Sequence, residues 1–223
     1  MERRLITVPY GPLQSNMYVI TGPSGVFIVD TSVSPERTEE YCKLPGLSKG
    51  ECKVKGFLLT HGHYDHIKFI NEWMALYPDA QVFFSSKDAE LLGNAYMNCS
   101  YMDGQQITYD FKYENMSGLD GMYIYKDDNI MIKVFETPGH TMGSVCYLFE
   151  QVSGDVLFTG DTVFRGSIGR TDMPGGSMKL MTETLKRVSV FDPGLIIYPG
   201  HGPGSTVEDE AKYNPFFDLK GFA

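Results

Sequence analysis

Thr60-His61-Gly62-His63-Tyr64-Asp65-His66 gathers three of the chain's five histidines into seven residues. Scattered histidines do not cluster this tightly by chance, so the stretch calls for a chemical explanation. Side chains at i and i+2 point to one side where the backbone is extended and diverge on a helix. His61 and His63 are therefore placed at a strand end or in a loop. The preceding run Val54-Lys55-Gly56-Phe57-Leu58-Leu59 supplies the strand, and a helix beginning near His66 supplies the return. Groups at the C-terminal end of a strand in an α/β sheet lie where ligand crevices form.

Working outward, the other two histidines also sit at strand-to-turn junctions. His140 follows Thr137-Pro138-Gly139, and His201 lies in Pro199-Gly200-His201-Gly202-Pro203. Asp161 closes Leu157-Phe158-Thr159-Gly160 in the same way. Glycine beside each lets the backbone bend sharply and present a side chain to a shared centre. The alternative is that each histidine is an ordinary polar residue satisfied where it stands. No structural need places every histidine of a chain beside glycine at a strand end. Imidazoles and carboxylates without clustered thiolates suit zinc first, and iron or manganese as well. His61, His63, Asp65, His66, His140, Asp161 and His201 are too many donors for one tetrahedral ion. Two divalent ions roughly 3.5 to 4 Å apart, bridged by a carboxylate and a water, account for them all.

Short β-branched and aromatic runs recur along the chain: Met17–Ile20, Val26–Val29, Val54–Leu59, Gln81–Phe84, Ile130–Phe135, Val145–Phe149, Val156–Phe158 and Leu195–Tyr198. These read as strands. Ile67, Ile70, Trp73, Met74 and Tyr77 recur at helical spacing and stop at Pro78. A second helix is expected from Ser85 or Ser86, and a third over Met178 to Val188. Interleaved strands and helices argue for an α/β layered fold, expected as one domain over 1–223. The polar, Tyr-rich stretch Gly93 to Gly121 is expected to be a long loop or hairpin over a sheet edge.

A net charge of -9 argues against a nucleic-acid partner, because that affinity comes mainly from Lys and Arg. No apolar run approaches the roughly 18 residues that span a bilayer. The N-terminal residues lack a signal-peptide apolar core, which leads to the expectation of a cytoplasmic protein with a small-molecule substrate and no membrane partner. Cys42, Cys52, Cys99 and Cys146 form no C-x-x-C pair and read as reduced thiols. Gly166 to Gly176 lacks the Lys-Ser/Thr ending of a phosphate loop, and there is no Gly-x-Ser-x-Gly elbow. A serine nucleophile is disfavoured.

These residues resemble the metallo-β-lactamase fold superfamily, whose metal motif is His-x-His-x-Asp-His followed by a distant His, Asp and His. The resemblance implies a four-layer αββα sandwich. It also implies that His61, His63 and His140 hold one ion, that Asp65, His66 and His201 hold the other, and that Asp161 bridges them. Asp30, ending Val26-Phe27-Ile28-Val29-Asp30, looks like the family's supporting aspartate, although Asp is also a common turn residue.

Four stretches resemble the short, single-domain glyoxalase II (hydroxyacylglutathione hydrolase)-like branch. They are Pro12–Tyr18, Thr137–Ser144, Gly166–Gly176 and Asn214–Phe217. The chain departs from the family in having Ile67-Lys68-Phe69-Ile70 where Gly-Gly is common, and it has no counterpart of the C-terminal helical domain that helps recognise glutathione.

The resemblance implies a hydrolase in which a metal-bridging hydroxide attacks a polarised carbonyl, with Asp65 as the catalytic group that orients it or takes its proton. A thiolate, with a pKa of about 8.5, leaves without a general acid, which favours a thioester or other activated ester over a lactam. Two alternatives share the fold: an iron-dependent persulfide dioxygenase and a lactamase- or lactonase-type hydrolase. A binding module without catalysis is a third, from a different class, that could lose donors without penalty.

Overall fold

The computed structural model of the protein describes residues 2–150 and 154–217. The first half of the chain builds one sheet. Its strands are β1 (Arg4–Tyr10), β2 (Ser15–Gly22), β3 (Gly25–Val29), β4 (Val54–Leu58), β5 (Gln81–Phe84) and β6 (Glu114–Asn115), in that spatial order. Helices α1 (Pro35–Cys42), α2 (Tyr64–Ile67), α3 (Ile70–Leu76) and α4 (Ala89–Leu92) connect them. The second half builds the other sheet from β7 (Tyr123–Lys126), β8 (Met131–Glu136), β9 (Val145–Glu150) and β10 (Val156–Gly160). A two-stranded ribbon, β11 (Val163–Phe164) and β12 (Ser167–Ile168), and helix α5 (Met178–Val188) precede β13 (Ile196–Pro199), β14 (Ser205–Thr206) and α6 (Val207–Tyr213). That sheet has the order β14-β13-β10-β9-β8-β7.

Alternation along the strands divides the apolar residues into three layers of core. Tyr18, Ile20, Phe27 and Phe83 of the first sheet meet Ile132, Val134, Tyr147, Phe149 and Phe158 of the second. The opposite face of the first sheet, with Met17, Val19, Ile28 and Phe84, packs on Ile67, Ile70 and Trp73. The opposite face of the second, with Cys146, Leu157 and Ile197, packs on Met181, Leu185 and Val188 of α5 and Val207 of α6. Helix, sheet, sheet and helix therefore stack in the expected αββα order. Each fully buried large side chain, such as Trp73 or Phe57, contributes about 1.5 to 3 kcal/mol.

One sequence expectation needs adjustment. The first helix starts at Tyr64 rather than near His66, and it breaks between α2 and α3. The break has a cause in β3's continuation: the Thr31 N–H donates to the His66 carbonyl at 2.6 Å, and the Thr31 carbonyl accepts from Phe69 at 3.0 Å. Thr31 thus takes backbone groups that an unbroken helix would use itself. Of the two forms expected for Gly93 to Gly121 the structure shows the loop, with one short helical turn at Ser100–Asp103 and edge strand β6 near its end.

Topology delivers the donor-bearing segments to one edge. Strands β3, β4 and β5 run parallel, as do β10 and β13, so the residues after them emerge together. Those residues are Asp30, the 60–66 stretch, Ser85–Asp88, Asp161 and His201. The turn before antiparallel β2 and the β8–β9 turn carrying His140 reach the same edge.

Candidate metal centre

All seven predicted donors meet at that edge. Their side-chain atoms form three overlapping clusters: His61, His63 and His140; His61, His66 and Asp161; and Asp65, His66 and His201. Asp161 lies between the outer two. Its Oδ1 is 3.3 Å from His66 Nε2, and its Oδ2 is 3.4 Å from His201 Nε2 and 3.5 Å from His140 Nε2.

The outer hydrogen bonds fix which ring nitrogens face inward. His140 Nδ1 is 2.7 Å from the Arg170 carbonyl, and His201 Nδ1 is 2.9 Å from the Leu13 carbonyl. A carbonyl only accepts, so both Nδ1 atoms carry the proton and both Nε2 atoms carry a lone pair. His66 Nδ1 donates to Asp30 Oδ2 at 2.7 Å. The Thr60 hydroxyl donates to Asp30 Oδ2 at 2.9 Å, which leaves it to accept from His61 Nδ1 at 3.0 Å.

In their neutral, metal-binding form these four imidazoles aim lone pairs into the centre. His66 Nε2 and His201 Nε2 stand 3.3 Å apart, a pair that repels unless a proton or cation lies between them. His63 Nδ1 lies 2.8 Å from His140 Nε2 and can donate to its lone pair, which leaves His63 Nε2 as a further inward lone pair. His61 Nε2, His63 Nε2 and Asp161 Oδ1 are buried without a hydrogen-bond partner among the described residues. A buried polar atom left unpaired costs about 1 to 3 kcal/mol. The donor clusters fit a binuclear metal site, which would satisfy these atoms.

The two halves carry protons differently. Burial pushes His61 and His63 well below the ordinary histidine value, and neighbouring imidazoles add to the effect. Burial also opposes charge on His66, but Asp65, Asp161 and Asp30 together carry it well above that value. His201 is raised against burial by its hydrogen bond to Asp161 and by that carboxylate's charge. Asp161 stays ionised, because His66 and His201 outweigh its burial. A raised value means the proton is held to higher pH and must leave when a cation binds. Metal loading near neutral pH is thus expected to release more protons from His66 and His201 than from His61 or His63. Calorimetry in buffers of different ionisation enthalpy counts them. The ion at Asp65, His66 and His201 is expected to be lost first as pH falls; pH-independent loading of both ions would contradict the assignment.

Asp30 supports the centre from outside. It is buried in a left-handed conformation, φ 58, and accepts from the Thr60 N–H at 2.8 Å, the Thr60 hydroxyl and His66. Three acceptor roles hold a backbone geometry that is strained for a non-glycine residue.

Sequence reasoning missed three further features. Asp88 is fully buried: its Oδ1 accepts from the Gly143 N–H at 2.6 Å, and its Oδ2 accepts from the Gly62 N–H at 2.9 Å and the Thr141 hydroxyl at 2.8 Å. It ties the loop carrying His61 and His63 to the loop carrying His140. The Pro12–Tyr18 stretch is a strap across the two sheets. Ser15 donates to Asp65 Oδ2 at 2.6 Å, and the Asn16 amide donates to the Pro199 and Gly202 carbonyls at 3.0 and 2.8 Å.

The third is the reason for Gly200, which is space and not a sharp bend. A Cβ there would collide with Asp161 Oδ1 and stand 2.8 Å from His66 Cε1. Gly200→Ala is expected to weaken metal binding at least about tenfold in a metal titration, because it displaces the Asp161 carboxylate that lies between the clusters.

Comparison with known proteins agrees with this geometry. The sequence pattern of the Metallo-beta-lactamase superfamily matches residues 10–201. The Bacillus subtilis (strain 168) protein named "Probable metallo-hydrolase YqgX" is 30% identical over 218 residues, covering 97% of this chain and 97% of that one. The crystal structure of the BLEG-1 B3 metallo-beta-lactamase superposes with a TM-score of 0.83 at 28% identity, over 96% of this chain and 100% of that chain. TTHA1623, solved in a di-iron-bound form, superposes at 0.79 with 30% identity, over 95% and 99%. No helix among the described residues is long and apolar enough to cross a membrane. From the matched pattern and the near full-length relative, the chain belongs to the metallo-beta-lactamase superfamily.

Proposed function

We propose that the chain is a metal-dependent hydrolase that cleaves thioesters or similarly activated esters. His61, His63 and His140 would hold one divalent ion, Asp65, His66 and His201 the other, and Asp161 would be shared. The observation that carries this reading is the convergence of inward-facing ring nitrogens, several buried without a partner, around a central carboxylate. Bound there, two divalent ions would supply Lewis acidity and lower the pKa of water to about 7.

The chain's own groups divide the remaining work. Asp65, held through Ser15, lies within 3.5 Å of His66 Nε2 and His201 Nε2, where its carboxylate can accept the proton of an attacking water. His140 and His201 are kept in one tautomer by main-chain carbonyls, so they need no reorganisation. A protein nucleophile is not supported by the cleft's one cysteine. Burial pushes the Cys99 thiol up to about 11, which leaves almost no thiolate at neutral pH. A departing thiolate needs no acid, whereas an amine must be protonated.

Elemental analysis coupled to a substrate panel tests the reading. Two ions per chain and thioester hydrolysis are expected, with a β-lactam arm slower by at least about 10²-fold for want of a positioned acid. Both zinc and iron suit the donors, and the di-iron form of TTHA1623 makes an iron-loaded sample necessary alongside a zinc-loaded one. One iron per chain with oxygen uptake on a persulfide, and no hydrolysis, would replace this reading with the dioxygenase.

A further inference from the structure

The cleft over the donor residues, about 460 Å³, has a polar floor and apolar walls. His63, Asp65, His140, Asp161 and His201 form the floor, and Leu13, Met102, Phe164, Ile168 and Met173 line the walls. Leu13 is 53% exposed and Met102 59% exposed, although they come from separate segments that face one cavity. Large apolar side chains left open around a cleft mark surface that a ligand covers.

The wall is fixed in place. Met102 lies on the Ser100–Asp103 turn, and the preceding Asn98 carbonyl accepts from the Tyr64 N–H at 2.9 Å, at the start of α2. Asn98 Nδ2 donates across the loop to the Ile107 carbonyl at 2.9 Å, and exposed Tyr101 stacks on Tyr96 with ring centroids 5.0 Å apart. The turn is thus tied to the helix that carries Asp65 and His66.

Beyond the metal-holding floor, the rim side chains give an anionic carrier little to bind. Arg170 is the one Lys or Arg among the lining residues, and its guanidinium is taken by Asp172 through two bonds of 2.9 Å. Asp103 adds negative charge to the same rim. Methionine walls instead suit flexible aliphatic groups, because an unbranched thioether reshapes around them.

Resting on the hydrolase reading, we infer that the cleft selects its substrate by a medium-length aliphatic acyl arm laid along Leu13, Met102 and Met173, and not by an anionic thiol carrier. Each buried methylene is worth about fourfold in affinity. In the metal-loaded enzyme, kcat/KM for hexanoyl-N-acetylcysteamine is expected to exceed that for the acetyl thioester at least about tenfold. Met102→Glu and Met173→Glu are expected to pull that ratio toward one, and Met102→Leu to restore it. Moving the hexanoyl group to coenzyme A is expected to bring no gain.

Hydrolysis of both acyl groups at equal kcat/KM, or a tenfold or larger gain on coenzyme A, overturns the inference and leaves the hydrolase reading intact. If no thioester is hydrolysed, that reading fails instead, and calorimetry with hexanohydroxamate and acetohydroxamate judges the cleft. Tighter binding of the hexanoyl compound by about tenfold upholds the apolar arm; equal affinity, or no binding by either, removes it.

Discussion

Asp161→Ala is expected to lower bound metal from two ions per chain to at most one, and to slow hydrolysis by about 10³-fold or more. Asp161 is the donor that approaches both halves, within 3.3 to 3.5 Å of His66, His140 and His201. Every other predicted donor belongs to one side or faces the centre through a single nitrogen. Losing the carboxylate also removes a charge that holds the His66 proton in the bare protein. Proton release on loading should therefore fall with metal content, and the two measurements check each other. Asp161→Asn separates charge from shape, since the amide keeps the volume and loses the negative charge. It is expected to resemble the alanine variant in metal content. Two tightly held ions and a near-normal rate in either variant would show that the carboxylate is not shared.

The donor set was legible because its chemistry is written locally. Three histidines in seven residues, and glycines beside His140, Asp161 and His201, mark strand ends without any knowledge of contacts. Central strands such as β2 and β9 are buried along most of their length, and they read clearly as apolar runs. Edge strand β1 did not, because only Val8 in it is buried, and β7 has no buried residue. Helix α1 hides for a similar reason: Pro35, Thr38 and Cys42 are its only buried positions, and two of the three are not strongly apolar. The break between α2 and α3 depends on Thr31, more than thirty residues upstream of the segment it interrupts. Pairings that distant leave no periodicity for a reader of the sequence to find.

Asp88 shows the same limit at the site itself, and it carries the second large prediction. In Ser85-Ser86-Lys87-Asp88-Ala89 it reads as an ordinary acidic residue at a helix start, favoured there by the dipole. Yet its three donors come from Gly62, Thr141 and Gly143, which are 26, 53 and 55 residues away. Asp88→Ala leaves two backbone N–H groups buried without their acceptor, while the Thr141 hydroxyl falls back on Ser144 at 2.7 Å. At about 1 to 3 kcal/mol each, with partial relaxation, the loss is expected to total about 3 to 5 kcal/mol. For a chain of this length that is a fall in Tm of roughly 10 to 15 °C.

Asn at 88 is not a rescue. Its single carbonyl oxygen replaces one acceptor, and its NH2 must then face an N–H of Gly62 or Gly143. Asp88→Asn is expected to recover only part of the melting temperature, with metal affinity still down about 10- to 100-fold because the His61–His63 and His140 loops are no longer tied together. Melting without metal and metal titration of the folded variant distinguish the two effects. An Asn variant that melts like the parent but binds metal poorly would assign Asp88 wholly to positioning; one that binds metal normally at a lowered Tm would assign it wholly to the fold.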